Sequence, residues 1–379
     1  MDTSKRGEME ATGQPDTILD GSRFVRACLR KPVDRTPVWF LRQAGRYMQE
    51  YREVRKHHTL VEICKKPELA AEVTITAAEK LGVDAAIIFA DLLLPLEPMG
   101  LDFEFAAGEG PVVHKPVRTE EDVRQLRTDR AGDLAYVAHA IEKVAAHFRD
   151  RLGIIGFCGA PYTLASYMIE GGGSRNYVQT KQMMYGAPAA WTGLLDKLVA
   201  VLTEYCRLQV QAGADVIQIF DSWVGSLGLS DYGSYAFEAS KRLVRAVQGL
   251  GVPVIYFGVE TAALLGKMAE TGADVIGLDW RQPLDEGWRA VGQGHAVQGN
   301  LDPITLFAPV EVLEQRVKEI LRAAGGRPGH IFNLGHGIVP GTPVENVQAV
   351  VKMVREWREQ GRREQGRRDQ GRRDQGRRD

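Results

Sequence analysis

Cysteine is scarce in this chain. The four present among 379 residues (Cys28, Cys64, Cys158 and Cys206) stand far apart and form no CxxC pair. So few thiols in so long a chain read as neither a disulfide framework nor a thiolate zinc site, and they point to a reduced, cytoplasmic setting. No apolar run approaches the roughly 20 residues that a membrane-spanning helix needs. The first twenty residues mix Asp, Glu, Lys and Arg and lack the apolar stretch of a secretory signal, so secretion is not expected. Net charge is also missing. At −1 overall, the chain has no whole-molecule field to steer nucleic acid or a membrane surface.

Cofactor motifs are equally sparse. No GxGxxG opens a helix after a strand, no HExxH occurs, and the Gly171-Gly-Gly-Ser run lacks the Gly-Lys-Ser/Thr ending of a phosphate loop. His57 and His58 are adjacent, so a regular element would not aim both at one ion. Neither a metal nor an organic cofactor is expected.

What is present divides the chain into three parts. Residues 1–17 are polar and broken by Gly and Pro, and they read as a disordered segment. Residues 360–379 repeat the pentad Gln-Gly-Arg-Arg-Glu/Asp four times, with eight Arg against four acids and no apolar residue. Such a tail cannot bury a core and reads as solvated. A function led by its arginines would make this a nucleic-acid binder, but that leaves the rest of the chain unexplained. Residues 18–359, rich in apolar side chains, are expected to form one domain.

Within that domain short apolar runs alternate with segments of helical period. Candidate strands cover 37–40, 84–89, 153–157, 215–220, 253–257, 274–279, 296–299 and 331–334, eight in all. Near-continuous apolar strands suit a parallel sheet covered on both faces. The helical segment 191–212 sets Leu194, Leu195, Leu198, Leu202, Tyr205 and Cys206 along one stripe. Gly213-Ala-Asp and Gly272-Ala-Asp each stop a helix just ahead of a strand. Eight β-then-α units favour a single (β/α)8 barrel with extra helices over an open sheet.

A barrel carries its chemistry on the loops that follow its strands. After the first strand come Arg42 and Arg46, four apart around Gly45; after the second, Asp91; after the third, the run to Tyr167; after the fourth, Ser222; after the eighth, His336. Two guanidiniums suit a carboxylate or phosphate ligand through bidentate charge-assisted bonds. With Arg52 and Arg55 following, the alternative is a solvated basic helix paired with Glu50 and Glu53. Asp91 reads either as a helix cap or as a site group. Tyr167 reads either as core packing or as a site residue, and Ser222 and His336 are equally open. Cys158 has no His–Asp or His–Asn context that would make it a nucleophile.

Phe40-Leu-Arg-Gln-Ala-Gly-Arg-Tyr-Met, together with Gly156-Phe-Cys-Gly-Ala-Pro-Tyr-Thr-Leu-Ala-Ser-Tyr-Met-Ile-Glu-Gly-Gly, resembles the uroporphyrinogen decarboxylase family. The Asp91 strand, Gln218-Ile-Phe-Asp-Ser, Gln298-Gly-Asn-Leu-Asp-Pro and Asn333-Leu-Gly-His-Gly match in order and spacing, so the resemblance runs from about Ile18 to about Arg358. It implies a distorted (β/α)8 barrel, a homodimer, and an enzyme without metal or organic cofactor. The activity implied removes carbon dioxide from the four acetate arms of uroporphyrinogen, leaving methyl groups and coproporphyrinogen. Arg42 and Arg46, with the Gln43-Ala44-Gly45 backbone between them, match the loop that binds substrate carboxylates. Asp91 matches the carboxylate that accepts hydrogen bonds from the pyrrole N–H groups. Tyr167, Ser222 and His336 match further substrate contacts, Phe220 an apolar wall, and Arg55 a basic residue near the cleft. Asp91, Arg42 and Tyr167 are thereby the catalytic candidates. Arg42 is the proton donor the resemblance implies, with a water or a substrate carboxyl held by Arg42 as the competitor.

The alternative is a zinc- and corrinoid-dependent methyltransferase on a related barrel, in which zinc activates a thiol. Such enzymes hold zinc through His-x-Cys and a later Cys. Here His295 is followed by Ala296 and Val297, and no Cys follows Cys206.

Overall fold

The computed structural model describes residues 22–106, 110–149 and 151–357. The expectations for residues 1–17 and for the 360–379 tail therefore lie outside the described residues. Strands β1 (Ala85–Ile87), β4 (Gly153–Gly159), β5 (Val216–Asp221), β6 (Val254–Gly258), β7 (Val275–Gly277), β8 (Ala296–Gln298) and β9 (His330–Ile331) form one parallel sheet in that order, with helices around it. The apolar stripe expected on the long helix Pro188–Gln211 is buried, Leu194, Leu198, Leu202 and Cys206 included. The sheet closes as a (β/α)8 barrel of the TIM type.

Its eighth stave is weaker than expected. Residues 37–40 make an isolated parallel bridge between Val38 and Phe332 rather than a full strand. Phe332 N–H donates to Pro37 O at 2.9 Å, and Asp84 N–H donates to Val38 O at 2.8 Å, so the segment still spans the gap between β9 and β1. Two of its residues offer the ladder no amide. Pro37 has no N–H to give, and the Val38 amide is taken by the Asp84 carboxylate at 2.9 Å.

That carboxylate belongs to a device used three times. Gly82-Val-Asp84, Gly213-Ala-Asp215 and Gly272-Ala-Asp274 each turn the chain out of a helix through a glycine at φ 68°, 106° and 87°, a region that glycine enters without steric cost. Each aspartate then accepts an amide at the start of the neighbouring stave: Val38, Ile154 and Val254, at 2.9, 2.8 and 2.9 Å. The amino-terminal edge of the barrel is thus pinned by side chains where the ladder has run out of partners. Asp84 carries more, since Arg23 and Arg35 also pair with it at 2.9 and 2.6 Å.

One element was not expected. Strands β2 (Phe103–Ala106) and β3 (Gly110–Val113) form an antiparallel hairpin outside the barrel sheet. Val113 N–H donates to Gly171 O and Val117 N–H to Met168 O, both at 2.9 Å, so the hairpin braces the end of the Pro161–Glu170 helix.

Asp84→Ala strips a buried carboxylate from two arginines and is expected to cost roughly 3–5 kcal/mol. Asp274→Ala, which takes an acceptor from the Val254 amide and the Gln248 side chain but from no cation among the described residues, is expected to cost roughly 1–3 kcal/mol. Urea unfolding of the two variants checks the order.

Candidate active site

The site is built at the carboxyl ends of the strands, across the seam where the barrel closes. Segment 37–46 and the chain after β9 are tied there by one side chain. Asn333 Oδ1 accepts the amides of Leu41 at 3.0 Å and Leu334 at 2.7 Å, and Ile338 N–H donates back to Leu41 O at 2.9 Å. Gln43, buried, braces the turn from inside. Its Oε1 accepts Phe40 N–H at 3.3 Å, its Nε2 donates to Ala85 O at 3.2 Å, and its carbonyl accepts Tyr47 Oη at 2.7 Å. The Gln43 side chain is therefore committed to the fold. The amides of Ala44 and Gly45 have no acceptor among the described residues.

Arg42 leaves this turn with φ 59° and an exposed side chain. Its aliphatic stem lies across Gly337: a β-carbon added at Gly337 would sit 2.7 Å from Arg42 Cγ and 2.9 Å from Nε. On the other side of the same turn, a β-carbon at Gly335 would meet the Trp280 backbone, 2.6 Å from Cα. His336 is held between these two close approaches, half-buried and edge-on to Trp280 at 5.8 Å. Burial and then the Arg42 charge hold its pKa below the usual histidine range, which favours the neutral ring.

Asp91 follows β1 and caps the turn behind it, accepting Leu93 N–H at 2.9 Å. The capping reading is the one this bond bears out, and the side chain is half-buried. Desolvation raises its pKa to about 6, against the opposing pull of the Leu93 amide and the Arg42 charge. Tyr167, half-buried on a helix whose other side chains are nearly all buried, packs edge-on against Trp223 at 5.6 Å. Burial first, then the Asp91 charge, push its hydroxyl up to about 12 while Arg42 pulls it down. Asp91, Tyr167 and His336, from three separate parts of the chain, thus each lie within electrostatic reach of Arg42.

Phe220 stands edge-on between Phe157 at 5.5 Å and Phe257 at 6.1 Å, an apolar wall from three adjacent strands. Ser222 follows it, half-buried. Arg46 and Arg55 are exposed, and with Asp91 their charges reach the Tyr51 hydroxyl, whose ring tilts against Phe89 at 5.3 Å. The alternative in which Arg52 and Arg55 pair with Glu50 and Glu53 is overturned. Glu50 pairs with Lys80 and Glu53 with Lys56, while Arg52 donates to the carbonyls of Arg46 and Tyr47 and Arg55 to that of His58. Trp223, Trp280 and Tyr51 were not singled out from the sequence. Trp223 directly follows Ser222 and Trp280 directly follows the expected 274–279 strand, the one signal that pointed to them. Among the described residues no group of three or more His, Cys, Asp or Glu is placed to hold a metal ion.

A carboxylate whose pKa is higher in the folded chain than its ordinary 3.8 destabilises the fold when ionised. The cost is absent below the ordinary value, grows as pH rises, and is complete above about 6. Asp91→Asn is therefore expected to melt above the parent at pH 7–8, with the advantage fading as pH falls toward 4. Thermal unfolding across that range measures it.

The model of the uroporphyrinogen decarboxylase (URO-D) family matches residues 20–357. Uroporphyrinogen decarboxylase of Koribacter versatilis is 64% identical over 340 residues, covering 89% of this chain and 97% of that protein. The namesake from Solibacter usitatus is 53% identical over 89% of this chain and 98% of its own length. Among solved structures, a methyltransferase from Methanosarcina mazei superposes with a TM-score of 0.72, covering 88% of this chain and 98% of its own. At 22% sequence identity that likeness shows the shared fold alone. Alignment along nearly the whole length with such relatives, and a barrel that gathers the matching motifs on one rim, make this chain a member of the uroporphyrinogen decarboxylase family.

Proposed function

We propose that this decarboxylase removes carbon dioxide from the four acetate arms of uroporphyrinogen III, giving coproporphyrinogen III, with Asp91, Arg42 and Tyr167 as its catalytic residues. The observation that carries the assignment is the family match over residues 20–357, joined to a half-buried Asp91 carboxylate in the field of Arg42.

An acetate on a pyrrole does not lose carbon dioxide easily, because the electron pair of the breaking C–C bond has nowhere to go. Protonation of the pyrrole at its α carbon makes a cationic iminium. The C–C bond then breaks, its pair moves toward the ring nitrogen, and carbon dioxide leaves. A proton added at the exocyclic methylene gives the methyl group, and loss of the α proton restores the aromatic ring. The net change is one proton consumed and one carbon dioxide released, so no redox partner is needed. The transition state is positively charged. A fixed anion in a dry cleft stabilises it far better than water does.

Asp91 supplies that anion and accepts hydrogen bonds from the pyrrole N–H groups. Arginine, with a pKa above about 12, is a poor acid, so Arg42 holds the carboxyl or water that delivers the proton. Arg46, the free amides of Ala44 and Gly45, and neutral His336 bind other carboxylates as the macrocycle turns from arm to arm. Tyr167 and Ser222 offer hydroxyls, Phe220 lines an apolar wall, and Arg55 adds positive field at the mouth. The family resemblance also supports a homodimer in a cytoplasmic setting, and no described helix is long and apolar enough to cross a membrane.

Incubating metal-stripped protein with uroporphyrinogen under reducing conditions, and scoring the carboxyl number of the products, tests the assignment. Asp91→Gly is expected to lose about 100-fold or more in kcat with its fold intact; wild-type product formation ends the case for Asp91. In the parent, kcat/KM is expected to fall as pH drops through about 6, where Asp91 takes up its proton.

Gly337→Ala is expected to fold and yet lose about tenfold or more in kcat/KM, because the new methyl must push the flexible Arg42 stem aside. Gly335→Ala meets backbone instead and is expected to lower the melting temperature. Arg42→Ala is expected to reduce kcat at least as much as it raises KM; an effect on KM alone would reduce Arg42 to a binding role.

A further inference from the structure

Asp221 ends β5 and directly precedes Ser222, yet its carboxylate is fully buried. No cation pairs with it among the described residues. Its partners are two hydroxyls: Thr163 Oγ1 donates to Oδ1 and Tyr256 Oη donates to Oδ2, both at 2.7 Å. With the Thr163 backbone amide as a further donor but no cation beside it, an anion in a closed interior carries a standing desolvation cost, and nothing in the reaction above uses it.

The Thr163 bond explains its placement. A carboxylate accepts and cannot donate, so it commits the single Thr163 proton to itself. The lone pairs of Thr163 Oγ1 are then left for the Trp223 amide, which donates to it at 3.2 Å. The indole of Trp223 packs edge-on against Tyr167 at 5.6 Å and is tilted against Tyr177 at 5.9 Å. Thr163 and Tyr167 lie four apart on the Pro161–Glu170 helix and so share a face. The other branch runs outward, with Tyr232 Oη and Ser240 Oγ 3.3 and 3.2 Å from Tyr256 Oη.

The geometry points to Asp221 as a positioning residue: acting through Thr163, it fixes the Ser222–Trp223 loop against the helix that carries Tyr167. This rests on the decarboxylase reading of the cleft. Asp221 touches neither substrate nor reacting atoms. It sets the polarity of one hydrogen bond, and that bond registers two cleft-facing elements against each other.

Steady-state kinetics with uroporphyrinogen, paired with melting temperatures, tests it on Thr163→Val, Thr163→Ser, Asp221→Asn and Tyr256→Phe. Thr163→Val breaks the link to Trp223 and is expected to lose between roughly tenfold and a hundredfold in kcat, with a much smaller change in KM. Thr163→Ser keeps the hydroxyl and is expected to restore most of that loss. Asp221→Asn preserves shape but can turn a donor toward Thr163, and it is expected to resemble Thr163→Val. Tyr256→Phe, on the outward branch, is expected to lower the melting temperature comparably while losing far less kcat. Equal kcat losses in Thr163→Val and Tyr256→Phe, a Thr163→Ser as impaired as Thr163→Val, or an Asp221→Asn with parental kcat would overturn the inference. Because Asp221→Asn and Thr163→Val report on the same bond, failure of either to fold leaves the other to decide. A fault in the reaction assignment shows in the parent protein, a fault here in the ranking of the variants.

Discussion

On the proposed reading, catalysis depends on keeping Asp91 charged where a charge is unwelcome. Burial raises its pKa, and the compensation offered by Arg42 and the Leu93 amide leaves it near 6. Fuller compensation would hold the carboxylate more firmly and also leave less of its field for the positive charge that develops on the pyrrole in the proposed reaction. A weaker one would leave it protonated at neutral pH. The position of Arg42 tunes this balance, so the architecture around Arg42 matters as much as the arginine itself.

That architecture sits at the barrel's seam. Asn333 gathers the turn before Arg42 and the chain leading to His336, and the Gly335-His336-Gly337 turn is narrow enough for the Arg42 stem to lie across it. The 37–40 segment makes only one bridge to β9, so side chains supply much of what holds the seam: Asp84 at the amino-terminal edge, Asn333 and Gln43 at the carboxyl edge. Closing the barrel and assembling the site are the same event, because the bonds that finish the ring also place Arg42 over Gly337.

The sequence made much of this legible because parallel strands covered on both faces are short apolar runs, and all eight expected runs occupy staves of the ring. Residue order then placed Arg42, Asp91, Tyr167, Ser222 and His336 on one rim without a contact being known. What stayed hidden was set by partners distant in sequence. Where 37–40 makes a bridge rather than a strand, the Asp84 carboxylate takes an amide. The β2–β3 hairpin is too short to declare itself, and its docking on the 161–170 helix is a tertiary choice. Local charge pattern misled at Arg52 and Arg55, where neighbouring glutamates suggested ion pairs. Carbonyls at the helix ends proved the better partners, in keeping with the small net worth of exposed ion pairs.

Asp91 and Asp221 show how far a raised carboxylate pKa can be read. Burial brings both to about 6, and both lie at or just past the carboxyl end of a barrel strand, where functional groups are sought first. Their surroundings separate them. Asp91 is half-buried, spends one oxygen on a cap, and lies in the field of an exposed arginine and a tyrosine hydroxyl. Asp221 is sealed, and both its oxygens are taken by hydroxyls at 2.7 Å. On the reading proposed above the first acts on a ligand, while the second can act only on the protein. A perturbed carboxylate therefore marks where the fold tolerates a cost, and the direction in which its oxygens are free decides what that cost supports.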